Sequence, residues 1–445
     1  MAENRLFGTD GVRGLANVEI TPELAVGLTR AAAAGRSGTV VVGRDTRRSG
    51  QMLIAAVVAG CNSAGLDAVD LGIVPVGAVS HHTIERRATL GVMVSASHNP
   101  AADNGIKFFG SDGAKLASEE EAAIEARFRS SESGGRLSGE EIGVQLPDPA
   151  AVDEYIDHLA SLSQYRLSGI KVTLDCANGA AFLAAPRLFS HLGAETEALF
   201  VAPSGMNIND GCGAVSPGVL ASRVAGGVGL AFDGDADRCI AVDEDGQVCD
   251  GDVIMAIIAR HLKENQALPG DRLVATVMSN LGFRTAMSSL SVAVEETPVG
   301  DRYVLEAMRR TGAALGGEQS GHVLFGGRAT GDGLLTGLRL LEVMAATGRP
   351  LRELRRVMTA FPQVLRNVRV RVKERLGDAE AIWEAVRRVE KRLGDEGRVL
   401  VRSSGTEPLV RVMVEARAPH EAASAADDIA AVVRRELGAT SDDEG

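Results

Sequence analysis

Aromatic side chains are scarce: they make up 3% of the 445 residues, with one tryptophan, Trp383. Little material is left for stacking nucleobases or broad sugar faces. The five cysteines, Cys61, Cys176, Cys212, Cys239 and Cys249, are odd in number and widely spaced. That pattern excludes a disulfide framework and a Cys-x-x-Cys metal site, and it suits a reducing compartment. The most apolar stretches, such as Leu53–Ala59 and Val253–Ile258, fall far short of the ~18 residues a membrane span needs. The opening Met1-Ala-Glu-Asn-Arg-Leu-Phe carries an acid and lacks the apolar core of a secretory signal. A soluble, cytoplasmic protein without membrane contact is expected. Gly-x-x-x-x-Gly-Lys-Ser/Thr is missing, which argues against a nucleotide kinase. A formal net charge of −12 repels a phosphate backbone, so nucleic acid is not an expected partner. A small anion held by local Arg and Lys stays compatible with that charge.

What is present is ordinary globular material, 45% hydrophobic and 24% charged, which excludes disordered and collagen-like classes. At roughly 100–200 residues per domain, the length suggests two to four domains. Apolar, β-branched runs that end in a polar loop and lead into helix-period segments recur. They are Thr39–Asp45 before a helix at 50–64, Ile170–Asp175 before one at 179–192, and Leu273–Met278 before one at 281–290. This is the pattern of β-α alternation and of mainly parallel, helix-covered sheets. Ser130–Gly139, rich in Ser, Gly and charge, reads as a linker. The later chain predicts strand Asn367–Val372, helix Ala379–Leu393, strands Arg398–Arg402 and Leu409–Glu415, and helix His420–Leu437, a small α+β domain. The expected domains are 1–150, 151–250, 251–362 and 363–445, and Ser441–Gly445 reads as an acidic tail.

Four segments carry chemistry. In Asp233-Gly-Asp-Ala-Asp-Arg238, three carboxylates alternate in a tight loop between apolar strands. Their repulsion calls for a hard divalent cation such as Mg²⁺ or Ca²⁺, and Arg238 adds charge for an anionic substrate. An EF-hand is excluded because Arg238 stands at its glycine position and a strand follows. Ser95-Ala-Ser-His-Asn-Pro100 lies just past a buried run, where α/β sheets bind ligands. Ser97 is a candidate nucleophile, although the segment suits a structural turn closed by Asn99-Pro100 equally; the side chains of Ser97 and His98, adjacent in an extended loop, should diverge. Lys107 lies ten residues on and could place a cation beside Ser97. Gly316-Gly-Glu-Gln-Ser-Gly-His322 suits a polyol or an ordinary glycine turn equally. Arg402-Ser-Ser-Gly-Thr-Glu-Pro408, joined by Arg411, suits a phosphate dianion or a plain β-turn. Together the loops describe an enzyme closing around a phosphorylated sugar.

With Phe7-Gly-Thr-Asp-Gly-Val-Arg-Gly14 ahead of them, these motifs stand in an order that resembles the α-D-phosphohexomutase family over essentially the whole chain. Gln319 and Val299-Gly-Asp-Arg-Tyr-Val304 look like its glucosamine branch. The resemblance implies three related mixed-sheet α/β domains plus a smaller C-terminal α+β domain, heart-shaped around a central cleft. It implies an isomerase, an intramolecular phosphotransferase that interconverts glucosamine 6-phosphate and glucosamine 1-phosphate and supplies cell-wall precursors. Ser97 would be the phosphoserine and, with Asp233, Asp235 and Asp237, a ligand of Mg²⁺. Arg13, Lys107 and His322 would assist phosphoryl and proton transfer, and Arg238, Glu318 and Ser320 would bind the sugar. Arg402, Ser404, Gly405, Thr406 and Arg411 would hold the distal phosphate. Glucosamine or glucose 1,6-bisphosphate would be the intermediate and activator, with a sugar phosphate as the small-molecule partner and a monomer or homodimer as the assembly. Two segments depart from the family: Pro75-Val-Gly-Ala78 replaces Pro-Thr-Pro-Ala, and Cys212-Gly-Ala-Val-Ser-Pro217 replaces Cys-Gly-Ser-Thr-His-Pro. The alternatives are a sister mutase for glucose or mannose phosphate, or a paralogue that acts on or merely binds another sugar phosphate.

Overall fold

The β-branched runs form strands and the helix-period segments pack on them in the computed structural model, which describes residues 5–8, 10–130, 137–224, 226–404 and 408–438. Most of the expected linker and all of the acidic tail lie outside these residues. Two compact units result, Met1–Met278 with Ser291–Val357, and Ser279–Leu290 with Met358–Gly445.

The first unit holds three sheets built on one plan. In the first, strand Thr39–Arg44 lies between Asp67–Ile73 and Leu90–Val94, all parallel, and Asp103–Gly110 returns antiparallel to Leu90–Val94. Val12–Leu15 and Gln145–Pro147 extend the two edges to six strands. In the second, Lys171–Asp175 lies between Glu195–Leu199 and Val228–Phe232, and Cys239–Val242 returns antiparallel, followed by Val248–Cys249. In the third, Arg272–Thr276 lies between Ala293–Thr297 and Leu315–Gly317, and Val323–Phe325 returns antiparallel. The repeated unit is therefore three parallel strands ending in a hairpin. The mixed-sheet domains that the family resemblance implies are borne out: the β-branched runs give the three parallel strands, and the antiparallel return completes each sheet.

Burial explains the strand sequences. Leu90–Val94 and Val228–Phe232 are buried at every position, as strands covered on both faces must be. Beneath the first sheet, Val40, Val42, Leu53, Val57 and Leu28 are fully buried. Helix Pro22–Ala33 begins where Thr21 Oγ1 accepts the Leu24 amide at 3.2 Å, and Pro22 presets the first turn.

The second unit is a three-stranded antiparallel sheet, Gln363–Arg369, Leu409–Ala416 and Gly397–Ser403, packed against helices Glu380–Leu393 and Pro419–Leu437. Its first strand starts four residues before the expected Asn367, because Gln363 to Arg369 pair along the partner from Glu415 to Leu409. Helix Leu281–Ser289, which its sequence attaches to the third repeat, groups with this unit. Glu415 accepts the Leu281 amide at 2.9 Å, and Asn280 Nδ2 donates to the Phe361 carbonyl at 3.0 Å. Among the described residues, no helix is long and apolar enough to cross a membrane.

Candidate active site

Each chemistry-bearing motif fills the connection of an antiparallel hairpin. The serine loop joins Leu90–Val94 to Asp103–Gly110, the aspartate loop joins Val228–Phe232 to Cys239–Val242, and the Glu318–His322 loop joins Leu315–Gly317 to Val323–Phe325. In the second unit, the Ser404 loop joins Gly397–Ser403 to Leu409–Ala416.

Ser97 is 1% exposed and adopts the left-handed conformation, φ 51°, which costs a non-glycine residue about 1 kcal/mol or more. Its hydroxyl donates to Asp233 Oδ2 at 2.5 Å. That backbone twist also overturns the expected divergence from His98: the loop is not extended here, and His98 Nδ1 lies 3.3 Å from Ser97 Oγ. Burial first, then Arg238 and Arg13, push the His98 imidazole down to about 4.

The aspartate loop is buried, and Asp233, Asp235 and Asp237 each offer a carboxylate oxygen within 4.8 Å of the others. Asp235 Oδ1 and Asp237 Oδ1 are buried acceptors with no hydrogen-bond donor. Burial, followed by repulsion from Asp237 and Asp235, pushes the Asp233 carboxyl up to about 8. Orphaned oxygens and mutual repulsion are what a bound divalent cation relieves, so the donor set fits a hard ion such as Mg²⁺. Backbone contacts hold the loop from several sides. Val76 N donates to the Asp235 carbonyl, Ala180 N to Gly234 and Gly333 N to Ala236, at 2.8–2.9 Å. Gly234 is needed for close approach, because a Cβ there would strike the Ser97 carbonyl. Glu244, just past strand Cys239–Val242, accepts the Leu351 and Arg352 amides at 2.8 Å.

Cations gather beside these acids. Lys107, 1% exposed, sits opposite Met93 in the hairpin, with its ammonium 2.7 Å from Asp235, 2.8 Å from Asp10 and 3.7 Å from Asp237. Lys115 bridges Asp10 and Asp301, and Arg13 pairs with Asp10. Against the effect of burial, Lys107, Lys115 and Arg13 hold the Asp10 carboxyl well below the usual range. His322 Nδ1 is 3.5 Å from Asp237 and its Nε2 3.6 Å from Asp301. Burial opposes protonation of His322, but Asp237 raises its imidazole to about 9.

The Glu318–His322 loop borders an open cavity of about 550 Å³, lined on its polar side by Arg238, Asp250, Glu318, Gln319 and Ser320. Ser320 Oγ donates to Glu318 Oε2 at 3.2 Å, and the other Glu318 oxygen accepts the Gly300 amide at 3.0 Å. Gln319 Nε2 donates to Asp250 at 3.2 Å. Ala214 and Val215, from one of the departing segments, line the same cavity.

In the second unit, Arg402 and Arg411 face each other across paired strands. Burial, then Arg411, lowers the Arg402 guanidinium from its ordinary value. Ser404 is buried, and its carbonyl accepts from Lys373 Nζ at 2.8 Å. Gly405 and Thr406 lie outside the described residues. Arg13, Ser97, Lys107, Asp233, Asp235, Asp237, Arg238 and His322 thus come together around the hairpins of the first unit. The sequence reading missed Asp10, Lys115 and Asp301, isolated charges whose only signal is their place inside the Phe7 and Val299 motifs or near Lys107.

Comparison with known proteins agrees with this constellation. The chain matches the descriptions Phosphoglucomutase/phosphomannomutase, alpha/beta/alpha domain I over residues 4–134, domain II over 153–246, domain III over 250–361, and the C-terminal domain over 346–432. It is 50% identical to phosphoglucosamine mutase of Symbiobacterium thermophilum, covering 97% of this chain and 99% of that protein. It is 51% identical to phosphoglucosamine mutase of Salinispora tropica, covering 97% and 98%. A crystal structure of a phosphoglucomutase/phosphomannomutase family protein from Burkholderia thailandensis matches with a TM-score of 0.82 at 26% identity, over 98% of each chain. Four family domains in sequence and relatives at half identity over nearly the full length establish that the chain belongs to the phosphoglucomutase/phosphomannomutase family and is a phosphosugar mutase, an isomerase.

Proposed function

We propose that the chain interconverts glucosamine 6-phosphate and glucosamine 1-phosphate through a phosphorylated Ser97. The observation that carries this is the buried Ser97 hydroxyl, hydrogen-bonded at 2.5 Å to the first of three clustered aspartates. The name shared by the half-identical relatives supports the glucosamine substrate. The phosphorus–Oγ bond of phosphoserine breaks as a sugar hydroxyl forms a new bond to phosphorus, and the hydroxyl's proton ends on the freed Ser97 Oγ. The resulting glucosamine 1,6-bisphosphate reorients and returns its other phosphoryl group to Ser97.

Asp233, Asp235, Asp237 and Ser97 Oγ would hold Mg²⁺, which supplies charge neutralisation for phosphoryl oxygens when bound. Arg13, paired with Asp10, and Lys107, paired with Asp10 and Asp235, supply positive charge for the transferred phosphoryl group, and His322 assists proton transfer. Arg238, Glu318 and Ser320 orient the sugar in the cavity they line. Arg402, Ser404, Gly405, Thr406 and Arg411 hold the phosphate that is not being transferred. The domain limits 1–150, 151–250, 251–362 and 363–445 go with this reading, one motif loop to each, as do a cytoplasmic location and a monomeric or homodimeric assembly.

The test is turnover of glucosamine 6-phosphate beside glucose and mannose 6-phosphates, with Mg²⁺ and a trace of glucose 1,6-bisphosphate, after intact-mass analysis of Ser97. Preference for the amino sugar and loss of turnover in Ser97→Ala are expected. Near-normal activity of Ser97→Ala would overturn the assignment. One observation favours a second reading, a different sugar phosphate: Ala214 and Val215 bring an apolar wall into the cavity. A higher kcat/KM for glucose or mannose 6-phosphate would select it.

A further inference from the structure

Arg47 lies outside every motif assigned above, yet its guanidinium is 1% exposed and all five of its N–H groups are engaged. Nε donates to Asp45 at 2.9 Å. Nη2 donates to the Ser97 carbonyl at 2.9 Å and to Asn99 at 2.8 Å. Nη1 donates to the Asp103 carbonyl at 3.0 Å and to that of Pro100. Four carbonyls of one loop thus converge on a single planar cation. Asp45 completes the frame from the other side: its Oδ2 accepts the Ser95 hydroxyl at 2.7 Å, and Ser95 Oγ in turn accepts the Ser97 amide at 2.9 Å. A second donor, Asn209 Nδ2, reaches the Ser97 carbonyl at 2.9 Å and that of Asn99 at 3.3 Å.

These bonds have a specific mechanical task. Left-handed backbone at a serine is unfavourable and persists only where surrounding contacts over-determine it. Here both the amide and the carbonyl of Ser97 are pinned. We propose that Arg47, seated by Asp45 and assisted by Asn209, is a positioning residue that holds Ser97 in the left-handed conformation aiming Oγ at Asp233. This rests on the reading of Ser97 as the phosphoryl carrier. Arg47 touches no reacting atom. Its effect is on the placement of Oγ, where an error of about 1 Å costs about 100-fold in rate. Lysine keeps the charge but offers three donors on one nitrogen and cannot span the same carbonyls.

The test compares Arg47→Lys with the parent enzyme by steady-state kinetics and by single-turnover loss of phosphoryl from Ser97, after charging with glucose 1,6-bisphosphate and mixing with glucosamine 6-phosphate. The expected result is a fall in kcat and in single-turnover rate of about 100-fold, with KM within about twofold. A folded Arg47→Lys protein with kcat within threefold of the parent overturns the proposal. So does a lower melting temperature with unchanged kcat, since that is what a merely structural role gives. Should Arg47→Lys not fold, Asn209→Ala removes one of the two donors to the Ser97 carbonyl; about a 10-fold loss of kcat at constant KM supports the proposal, and no change overturns it. Ser97→Ala is the control that tells the two failures apart: if it stays active, the phosphoserine reading fails and the role of Arg47 falls with it; if it is inactive while Arg47→Lys keeps its kcat, the assignment of Arg47 alone is overturned.

Discussion

Ser97 Oγ and Asp233 Oδ2, 136 positions apart in the chain, meet at 2.5 Å. The serine comes from the first repeat and the aspartate from the second, each from the hairpin that ends three parallel strands. The acceptor belongs to a crowded acidic loop: burial and the charges of Asp237 and Asp235 push the Asp233 carboxyl up to about 8.

Neutralising this aspartate therefore has opposite effects on stability and on activity. With its carboxyl pushed up to about 8, Asp233 has to take up a proton when the metal-free protein folds at neutral pH; Asp233→Asn abolishes that cost, and with a chelator present its melting temperature should rise by about 2 °C or more. Added Mg²⁺ should stabilise the parent and leave the variant nearly unmoved, while mutase activity falls by about 100-fold or more. Thermal shift with and without Mg²⁺ checks both signs. An undiminished Mg²⁺ response in Asp233→Asn would show that the ion binds elsewhere.

Gly77, in one of the two departing segments, makes room for another long-range pair. A Cβ there would strike Tyr155 Oη and Asp332 Oδ2, which are joined by a buried 2.5 Å hydrogen bond. Asp332 also accepts the Leu335 amide at the start of helix Gly333–Thr347. Gly77→Ala should destabilise by about 1–3 kcal/mol through overpacking, and Tyr155→Phe by a similar amount through the lost bond to a buried carboxyl. In the double variant the phenol oxygen that obstructs the new methyl is gone, so the two losses should sum to less than additivity requires. Denaturant unfolding of the four proteins measures this. Strict additivity would mean that Gly77 and Tyr155 do not share the space.

Legibility followed sequence distance. The aspartate loop could be read because its three carboxylates are neighbours in the chain, so their repulsion is visible without a fold. The Arg402 loop, whose residues are likewise neighbours in the chain, could be read only as either a phosphate site or a plain β-turn. Arg47 could not be read: its value lies in carbonyls 50 to 56 positions away, which only strand order brings together. Lys107 was half legible, since its closeness to Ser97 in sequence was noted, but its burial among Asp10, Asp235 and Asp237 depends on the antiparallel return of Asp103–Gly110. The same antiparallel return is what makes each of the three sheets mixed, as the family resemblance implied. Ser97 shows a different limit, since a single left-handed residue reversed the expected relation to His98.

Arg402 and Arg411 oppose each other across paired strands of the second unit. Like charges placed directly opposite on paired strands repel, and burial, then the Arg411 charge, accordingly lowers the Arg402 guanidinium from its ordinary value. Arg402→Met should therefore leave the melting temperature unchanged or slightly higher in phosphate-free buffer, yet raise KM for the sugar phosphate by about 10-fold or more through loss of a charge-assisted contact. Inorganic phosphate should stabilise the parent more than the variant. A KM unaffected by the substitution would overturn the proposed phosphate-binding role of Arg402.

The five thiols give the protein a one-sided response to alkali. All are buried and free. Burial alone nearly accounts for Cys61, whose thiol is pushed up to about 12, and burial with Asp175 and Asp210 does the same for Cys212. An unfolded thiol ionises near ~8.5, whereas the native ones stay protonated. A group whose native pKa is raised contributes its full stability below the unfolded value and loses it as pH climbs toward the native one, so the window here runs from about 8.5 to about 12. Within it each buried thiol should reduce unfolding free energy by about 1.4 kcal/mol per pH unit. Urea unfolding at pH 8, 9 and 10 should show this decline, and Cys61→Ala should flatten it by one thiol's share. An aromatic disulfide reagent at pH 8 should find no reactive thiol in the native protein and all five after denaturation. A native thiol that reacts at pH 8 would mean that its surroundings open far more readily than this packing allows.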